Sequence, residues 1–209
     1  MNAFQQAIKR LTDILVAALS LILLAPFLLT AGLLVRLDSK GPSVFRQKRL
    51  GKDGKPFTCY KFRTMYVDSP DLRYPDGSTY NAEDDPRVTR MGRFLRKTSL
   101  DELPQLLNVL SGHMSLVGPR PDQVDQLRYY TAEEKRKLLV KPGMTGWAQI
   151  NGRNNIPWEQ RKRLDLDYVE KQSLGLDLRI LLQTIPYVLS RRDTFVEPTL
   201  GAQDGQPND

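Results

Sequence analysis

The chain has 209 residues, 31 of them Lys or Arg against 24 Asp or Glu, for a formal net charge of +7, and a single cysteine. With a membrane-associated amino-terminal stretch set aside, what remains is enough for one compact domain and too little for two. The positive balance favours a phosphate-bearing partner, whether a nucleotide, an anionic membrane surface or a nucleic acid. A lone cysteine excludes an intramolecular disulfide and fits a reducing compartment, and Cys59, in an apolar stretch, reads as an inert core thiol.

Residues 14–35 carry no charge over 22 positions, enough to cross a hydrocarbon core about 30 Å thick as one straight helix. Pro26 argues against that, because it lacks a backbone donor and clashes with the preceding turn. Broken there, the halves measure about 18 Å and 14 Å, and neither spans alone. Lys9 and Arg10 precede the stretch, and Arg36, Lys40, Arg46, Lys48 and Arg49 follow it. Both ends therefore carry the charge that marks the cytoplasmic side. Residues 1–40 are expected to form a re-entrant helix-break-helix dipping into the inner leaflet, with a Pro26-kinked spanning helix as the alternative. The apolar run is longer than the usual core of a cleaved signal peptide and ends in no small-x-small site.

Lys40-Gly41-Pro42 opens the expected catalytic domain, residues 41–196. Strand-like runs at 43–47 and 56–62, joined through Gly51-Lys52-Asp53-Gly54, predict a β-hairpin. Residues 68–86 hold Pro70, Pro75 and Pro86 with Asp71, Asp76, Glu83, Asp84 and Asp85, the pattern of a long surface loop, either a substrate lid or simply mobile. Helical patterns follow at 91–97, 100–110, 132–140, 158–172 and 176–189, with a short strand at 115–117. The last helix, ending in Arg191-Arg192, suits either a membrane interface or an ordinary core-facing packing. The basic runs 135–137 and 161–163 read as solvated faces with the membrane as an available anionic partner. Residues 197–209 are polar and expected to be disordered.

Three windows carry chemistry. In Ser99-Leu100-Asp101-Glu102-Leu103-Pro104-Gln105, Ser99 followed by Glu102 is a capping-box pattern that places both acids in a first helical turn. Unpaired N–H groups there stabilise carboxylates and also seat phosphates. Adjacent helical positions diverge by about 100°, so the two acids can take separate tasks, one attacking phosphorus and the other handling a proton. Acidic residues in first turns are also common for purely structural reasons. In Val117-Gly118-Pro119-Arg120-Pro121 the flanking prolines hold Arg120 in a defined direction, either towards a phosphate or simply at the tip of a rigid turn. Residues 142–154 combine glycines, amides and Arg153, consistent with a nucleotide pocket or with a glycine-rich turn. His113 is the only histidine and has no ligand spacing around it. Walker, Rossmann and Gly-x-Ser-x-Gly signatures are absent.

Taken together, the Pro26-interrupted segment, Tyr60-Lys61-Phe62-Arg63-Thr64-Met65, the Ser99–Gln105 window, the Arg120 window and residues 142–154 resemble the bacterial sugar transferase family, the monotopic phosphoglycosyl transferases, from about Lys9 to about Arg192. The resemblance implies a family-specific α+β fold on a re-entrant membrane helix, a UDP-sugar donor, undecaprenyl phosphate as acceptor, and undecaprenyl diphosphate sugar and UMP as products. It implies Mg²⁺ as cofactor, a place in the bacterial cytoplasmic membrane with the catalytic domain facing the cytosol, and a role at the first membrane step of polysaccharide or glycoconjugate synthesis. Asp101 would be the nucleophile and a metal ligand, and Glu102 would assist proton transfer or metal placement. Arg96 and Arg120 match arginines that the family places near the phosphates, and Lys61, Arg63 and Arg153 extend the expected phosphate site. Ala25 departs from the serine that often precedes the helix-breaking proline. The extra amino-terminal membrane domain of longer members has no counterpart, which implies a minimal catalytic form, and a homo-oligomer is compatible with it. A membrane-tethered polyanion-binding protein is the non-enzymatic alternative, but the chain carries no recognised nucleic-acid module.

Overall fold

The structure, a computed structural model, describes residues 1–73, 80–152 and 155–190. Pro75 and Asp76 of the acidic loop, Arg153 and Asn154, Arg191-Arg192 and the 197–209 tail lie outside the described residues.

A mixed α+β domain rests on one long helix. Helix α1 spans Ala3–Asp38 and starts at a capping box between Asn2 and Gln5. Pro26 does not break it, because the helix continues through that position to Asp38. One missing N–H costs a single hydrogen bond, whereas ending the helix in apolar surroundings would strand several carbonyls. Leu15, Leu19, Ile22, Leu29 and Leu33 recur at helical spacing and are exposed. The opposite stripe buries Asp13, Ala17, Ala31 and Val35, and its small residues let the helix lie close to the domain. α1 is long and apolar enough to cross a membrane, and its outward apolar stripe is what a membrane-embedded helix presents to lipid.

Both ends of α1 are fastened to the domain. At one end Lys9 donates to Val117 O (2.9 Å) and Asp177 (2.6 Å), and Arg10 donates to Val109 O and Leu110 O. Asp13 accepts from Ser115 Oγ and Leu116 N. At the other end Ser43 donates to Gly32 O, and buried Arg63 donates to Val35 O, Ser39 O, Ser39 Oγ, Pro42 O and Met65 O. Arg63 thereby closes the carboxyl end of α1 with a charge that favours that pole of the helix dipole.

The predicted hairpin is present, longer than expected on its first strand: β1 (Val44–Leu50) pairs antiparallel with β2 (Pro56–Phe62), Val44 facing Phe62 and Leu50 facing Pro56. Helix α2 covers Arg90–Lys97 with Thr89 as its cap. The predicted helix at 100–110 divides into a 3-10 turn, Leu100–Gln105, and the short helix α3, Leu106–Leu110. Pro104 inside the turn removes a donor and favours the tighter winding. The 115–117 strand exists as β3 (Ser115–Val117), and a strand not foreseen, β4 (Gly143–Thr145), runs parallel to it. A Cβ on Gly143 would lie 2.1 Å from Gly118 N, so the close backbone approach in the 142–154 window serves this strand pair. Helices α4 (Trp147–Ile150), α5 (Trp158–Lys171) and α6 (Leu174–Leu189) complete the chain, and the expected helix at 132–140 is a 3-10 segment, Glu134–Leu139.

One core joins Ala17 of α1 to Phe57, Cys59, Leu106, Val109, Met114, Leu116, Val117, Tyr168 and Ile180, and a second gathers Ala31, Val35, Phe62 and Leu95. Burial pushes the Cys59 thiol up from its ordinary pKa, in keeping with an inert core residue. The basic runs are not uniformly solvated: Lys137 and Lys162, each in a run of three, are buried on carboxylates. Arg63→Met removes a buried five-bond hub and is expected to cost at least about 3 kcal/mol, lowering Tm by roughly 6–12 °C. Thermal unfolding in detergent, followed by circular dichroism, checks this.

Candidate active site

Lys61, Glu102 and Arg120 come from three separate segments and meet as ion pairs. Lys61 lies at the end of β2, where the alternation of the strand turns it towards the 3-10 turn. Glu102 lies in that turn and is buried. Its Oε1 accepts from Lys61 Nζ at 2.9 Å and from Arg120 Nη2 at 2.6 Å, and its Oε2 accepts from Arg120 Nη1 at 3.2 Å. The Arg120 contact is a two-pronged guanidinium–carboxylate pair, the strongest geometry such groups adopt. The Glu102 charge raises the Arg120 pKa above its ordinary value despite burial.

The capping box expected from Ser99 and Glu102 does not form. Ser99 adopts a left-handed conformation (φ 58°) and makes no side-chain cap bond. Two full cations outcompete one backbone amide for the Glu102 carboxylate. The left-handed residue turns the chain sharply out of α2, setting Asp101 and Glu102 beside the hairpin.

Asp101 is half-buried next to Glu102. Burial holds the Arg96 pKa below its ordinary value, and the leading opposing influence is the charge of Asp101, which also acts on Arg120. Asp101 is therefore within electrostatic reach of two arginines, Arg96 and Arg120. Arg96 is itself fixed by Thr64 Oγ1 (2.9 Å), a motif residue given no role above, and by Asn81 Oδ1 (3.3 Å), which sequence patterning did not single out.

The loop bearing Arg120 is held from below and from both sides. Gly118 N donates to Thr145 O and Gly143 N to Pro119 O, each at 2.9 Å. On one side Lys137 bridges Asp122 (2.7 Å) and Asp165 (2.8 Å), and Tyr130 hydroxyl donates to Asp122. On the other, Leu50 N donates to Asp122 O and Arg49 pairs with Gln123 as an isolated bridge. The long acidic loop is attached around the same centre. Arg87 grips Asp85 and donates to Pro70 O and Tyr80 O, and Arg73 reaches Gln123 and Asp125.

Of the expected phosphate ligands, Lys61, Arg96 and Arg120 are gathered here, Arg63 is elsewhere, and Arg153 lies outside the described residues. Arg63 was expected to meet phosphate, but its five N–H donors all point to acceptors around the end of α1. Among the described residues no group of three or more His, Cys, Asp or Glu is placed to hold a metal unaided. With both Glu102 oxygens on cations, the expected Mg²⁺ fits only if Asp101 and substrate phosphate oxygens hold it, a common arrangement for this ion.

The family model for bacterial sugar transferases matches residues 4–191. The chain belongs to the bacterial sugar transferase family. It is 50% identical over 182 residues to an uncharacterized sugar transferase, EpsL, of Bacillus subtilis, covering 87% of each chain. It is 44% identical over 197 residues to the UDP-glucose:undecaprenyl-phosphate glucose-1-phosphate transferase of Caulobacter vibrioides, covering 90% of this chain and 72% of that protein. The Escherichia coli protein of the same name is 44% identical over 193 residues, 88% of this chain but 41% of its own length. The chain thus spans less than half the length of several relatives that it matches. Within this sugar transferase, Lys137→Met would leave Asp122 and Asp165 buried without their cation. A cost of about 3–5 kcal/mol and a fall in Tm of roughly 6–20 °C are expected, measurable by differential scanning fluorimetry.

Proposed function

We propose that this protein transfers a sugar 1-phosphate from a UDP-sugar to undecaprenyl phosphate, releasing UMP, with Asp101 as a covalent nucleophile. The observation that carries the reading is a carboxylate, Asp101, set beside Glu102 among Lys61, Arg96 and Arg120. An anion attacking a diphosphate must overcome charge repulsion, and surrounding cations lower that barrier most where water is excluded.

An Asp101 oxygen attacks the phosphorus that bears the sugar. The bond from that phosphorus to the bridging oxygen breaks, and UMP leaves with the electron pair. The resulting aspartyl phosphosugar is then attacked at the same phosphorus by a phosphate oxygen of the lipid, which restores the Asp101 carboxylate. Arg96 and Arg120 bind phosphate oxygens, and Lys61 neutralises charge beside them. Glu102, engaged by two cations, acts as the fixed anion that aims Lys61 and Arg120. When bound by Asp101 and substrate oxygens, Mg²⁺ supplies further charge neutralisation at the diphosphate. Relatives bearing names of undecaprenyl-phosphate glucose or galactose phosphotransferases support this substrate class.

The same reading has α1 entering and leaving the membrane on the cytosolic side. Lys9 and Arg63 fasten opposite ends of α1 to one domain, whereas a helix crossing the bilayer separates its ends by about 30 Å of hydrocarbon. An Asn2→Cys variant is expected to react with membrane-impermeant maleimide only after cells are opened, and labelling of intact cells would overturn the one-sided topology.

Purified protein with Mg²⁺, undecaprenyl phosphate and a panel of UDP-sugars is expected to release UMP. Asp101→Asn should lose at least roughly 10³-fold in rate, and Glu102→Gln about 10–100-fold. Mass spectrometry of protein quenched with donor alone should show a phosphosugar adduct on Asp101. Lipid-dependent turnover by Asp101→Asn at the wild-type rate would falsify the covalent route.

A further inference from the structure

Arg49 stands against the active-site loop without a role in the reaction as drawn above. In the hairpin register Phe45 faces Lys61, Gln47 faces Cys59 and Arg49 faces Phe57. Directly opposed residues share a face and the strand period is two, so Gln47, Arg49, Cys59 and Lys61 lie on one side of the hairpin. Phe57 and Cys59 are buried there, and Lys61 reaches Glu102 from it. The face that delivers Lys61 to the centre also carries Arg49.

Arg49 Nη1 donates to Pro121 O at 3.1 Å and Nη2 to Gln47 Oε1 at 2.6 Å. The first acceptor belongs to the residue that follows Arg120. Both acceptors are neutral, and among the described residues no carboxylate lies within salt-bridge distance of Arg49. Most inward cations of this region differ, since Lys61 and Arg120 share Glu102, Lys137 has Asp122 and Asp165, and Arg87 has Asp85, while Arg96, like Arg49, rests on neutral oxygens. Burial and the like charge of Arg120 both press the Arg49 pKa down, while Cys59, Asp122 and Glu102 act in the opposite sense. Lys61 and Arg120 pair directly with Glu102, whereas Arg49, against the backbone of the Arg120 loop, rests on neutral oxygens alone. A guanidinium offers five N–H donors, and Arg49 directs only two hydrogen bonds to described residues.

A half-buried guanidinium held by neutral oxygens keeps donors suited to bidentate contact with phosphate oxygens. We infer that Arg49 is a further phosphate-binding residue of this site, holding an oxygen of the donor's diphosphate alongside Arg120. Its contact with Pro121 O ties it to the backbone of the Arg120 loop. This assignment rests on the nucleotide-sugar reading above.

The test is titration of inorganic pyrophosphate and UDP into purified wild type, Arg49→Met and Arg49→Lys in detergent by isothermal calorimetry, beside steady-state kinetics with the donor. Arg49→Met is expected to weaken pyrophosphate binding by at least about tenfold and to raise donor KM by a similar factor, with a smaller change in kcat. Arg49→Lys should recover part of the affinity, since it keeps the charge and loses the fork. Unchanged pyrophosphate affinity with a reduced kcat would make Arg49 a strut for the loop and overturn the assignment. If Arg49→Met does not fold, Arg49→Lys carries the test, and affinity equal to wild type overturns it. Pyrophosphate binding requires neither the right sugar nor the lipid. Wild type that binds pyrophosphate through Arg49 yet transfers no sugar would overturn the reaction alone, and active wild type indifferent to Arg49→Met would overturn this inference alone.

Discussion

The Glu102 carboxylate organises this molecule because it is shared by two cations that arrive from distant parts of the chain, Lys61 from 41 residues away and Arg120 from 18. Two such cations would repel one another and carry a desolvation cost in the partly buried space they occupy; a carboxylate with both oxygens engaged offsets both penalties. The hairpin, the 3-10 turn and the Arg120 loop must then meet in one register. Asn108 reinforces the first junction by accepting from Tyr60 N and donating to Thr58 O, tying α3 to β2. The parallel pair of β3 and β4 reinforces the second by fixing where the Arg120 loop begins.

The membrane helix obeys a related economy. Its outer stripe is apolar and exposed, yet its inner stripe carries Asp13, buried and hydrogen-bonded to the start of β3. Lys9, Asp177 and Tyr168 join α1, α5 and α6 through one polar cluster. Helix α6 repeats the pattern, with Leu178, Leu182, Ile185 and Leu189 exposed while Asp177 and Ile180 are buried. Polar joints hold the helices to the domain and leave their apolar stripes exposed.

Much of this was legible in the sequence where a periodic signal governed it. The hairpin, α2, β3, α5 and α6 followed from alternation or helical spacing, and the ordered motifs around Asp101 and Arg120 marked the centre. Local rules failed where a long-range charge overrode them. Ser99 and Glu102 spell a capping box, but Lys61 and Arg120 claim Glu102 and Ser99 turns left-handed. Lys137 and Lys162 read as surface because their neighbours are basic, yet each is buried on a carboxylate brought from another element. Arg63 sits in the same motif as Lys61, yet two positions along the chain its side chain closes a helix while Lys61 reaches Glu102. Pro26 has its usual local effect on one hydrogen bond, while the need to keep the other backbone groups paired carries the helix through it.

Charge accounting separates the structural arginines from those able to serve a reaction. Arg63 and Arg10 donate to backbone carbonyls at helix ends, where partial negative charge is fixed and no ion can be exchanged. Arg87 is paired with buried Asp85 and holds a loop. Around Asp101 the pattern changes: Arg96 is steadied by the neutral oxygens of Thr64 and Asn81, and Arg120 shares its carboxylate with Lys61. Cations oriented by neutral or shared acceptors keep electrostatic capacity for an incoming anion, and they need no reorganisation when it arrives. A carboxylate placed in such surroundings can approach a phosphorus centre, which the same carboxylate on an open, acidic surface could not do at comparable speed.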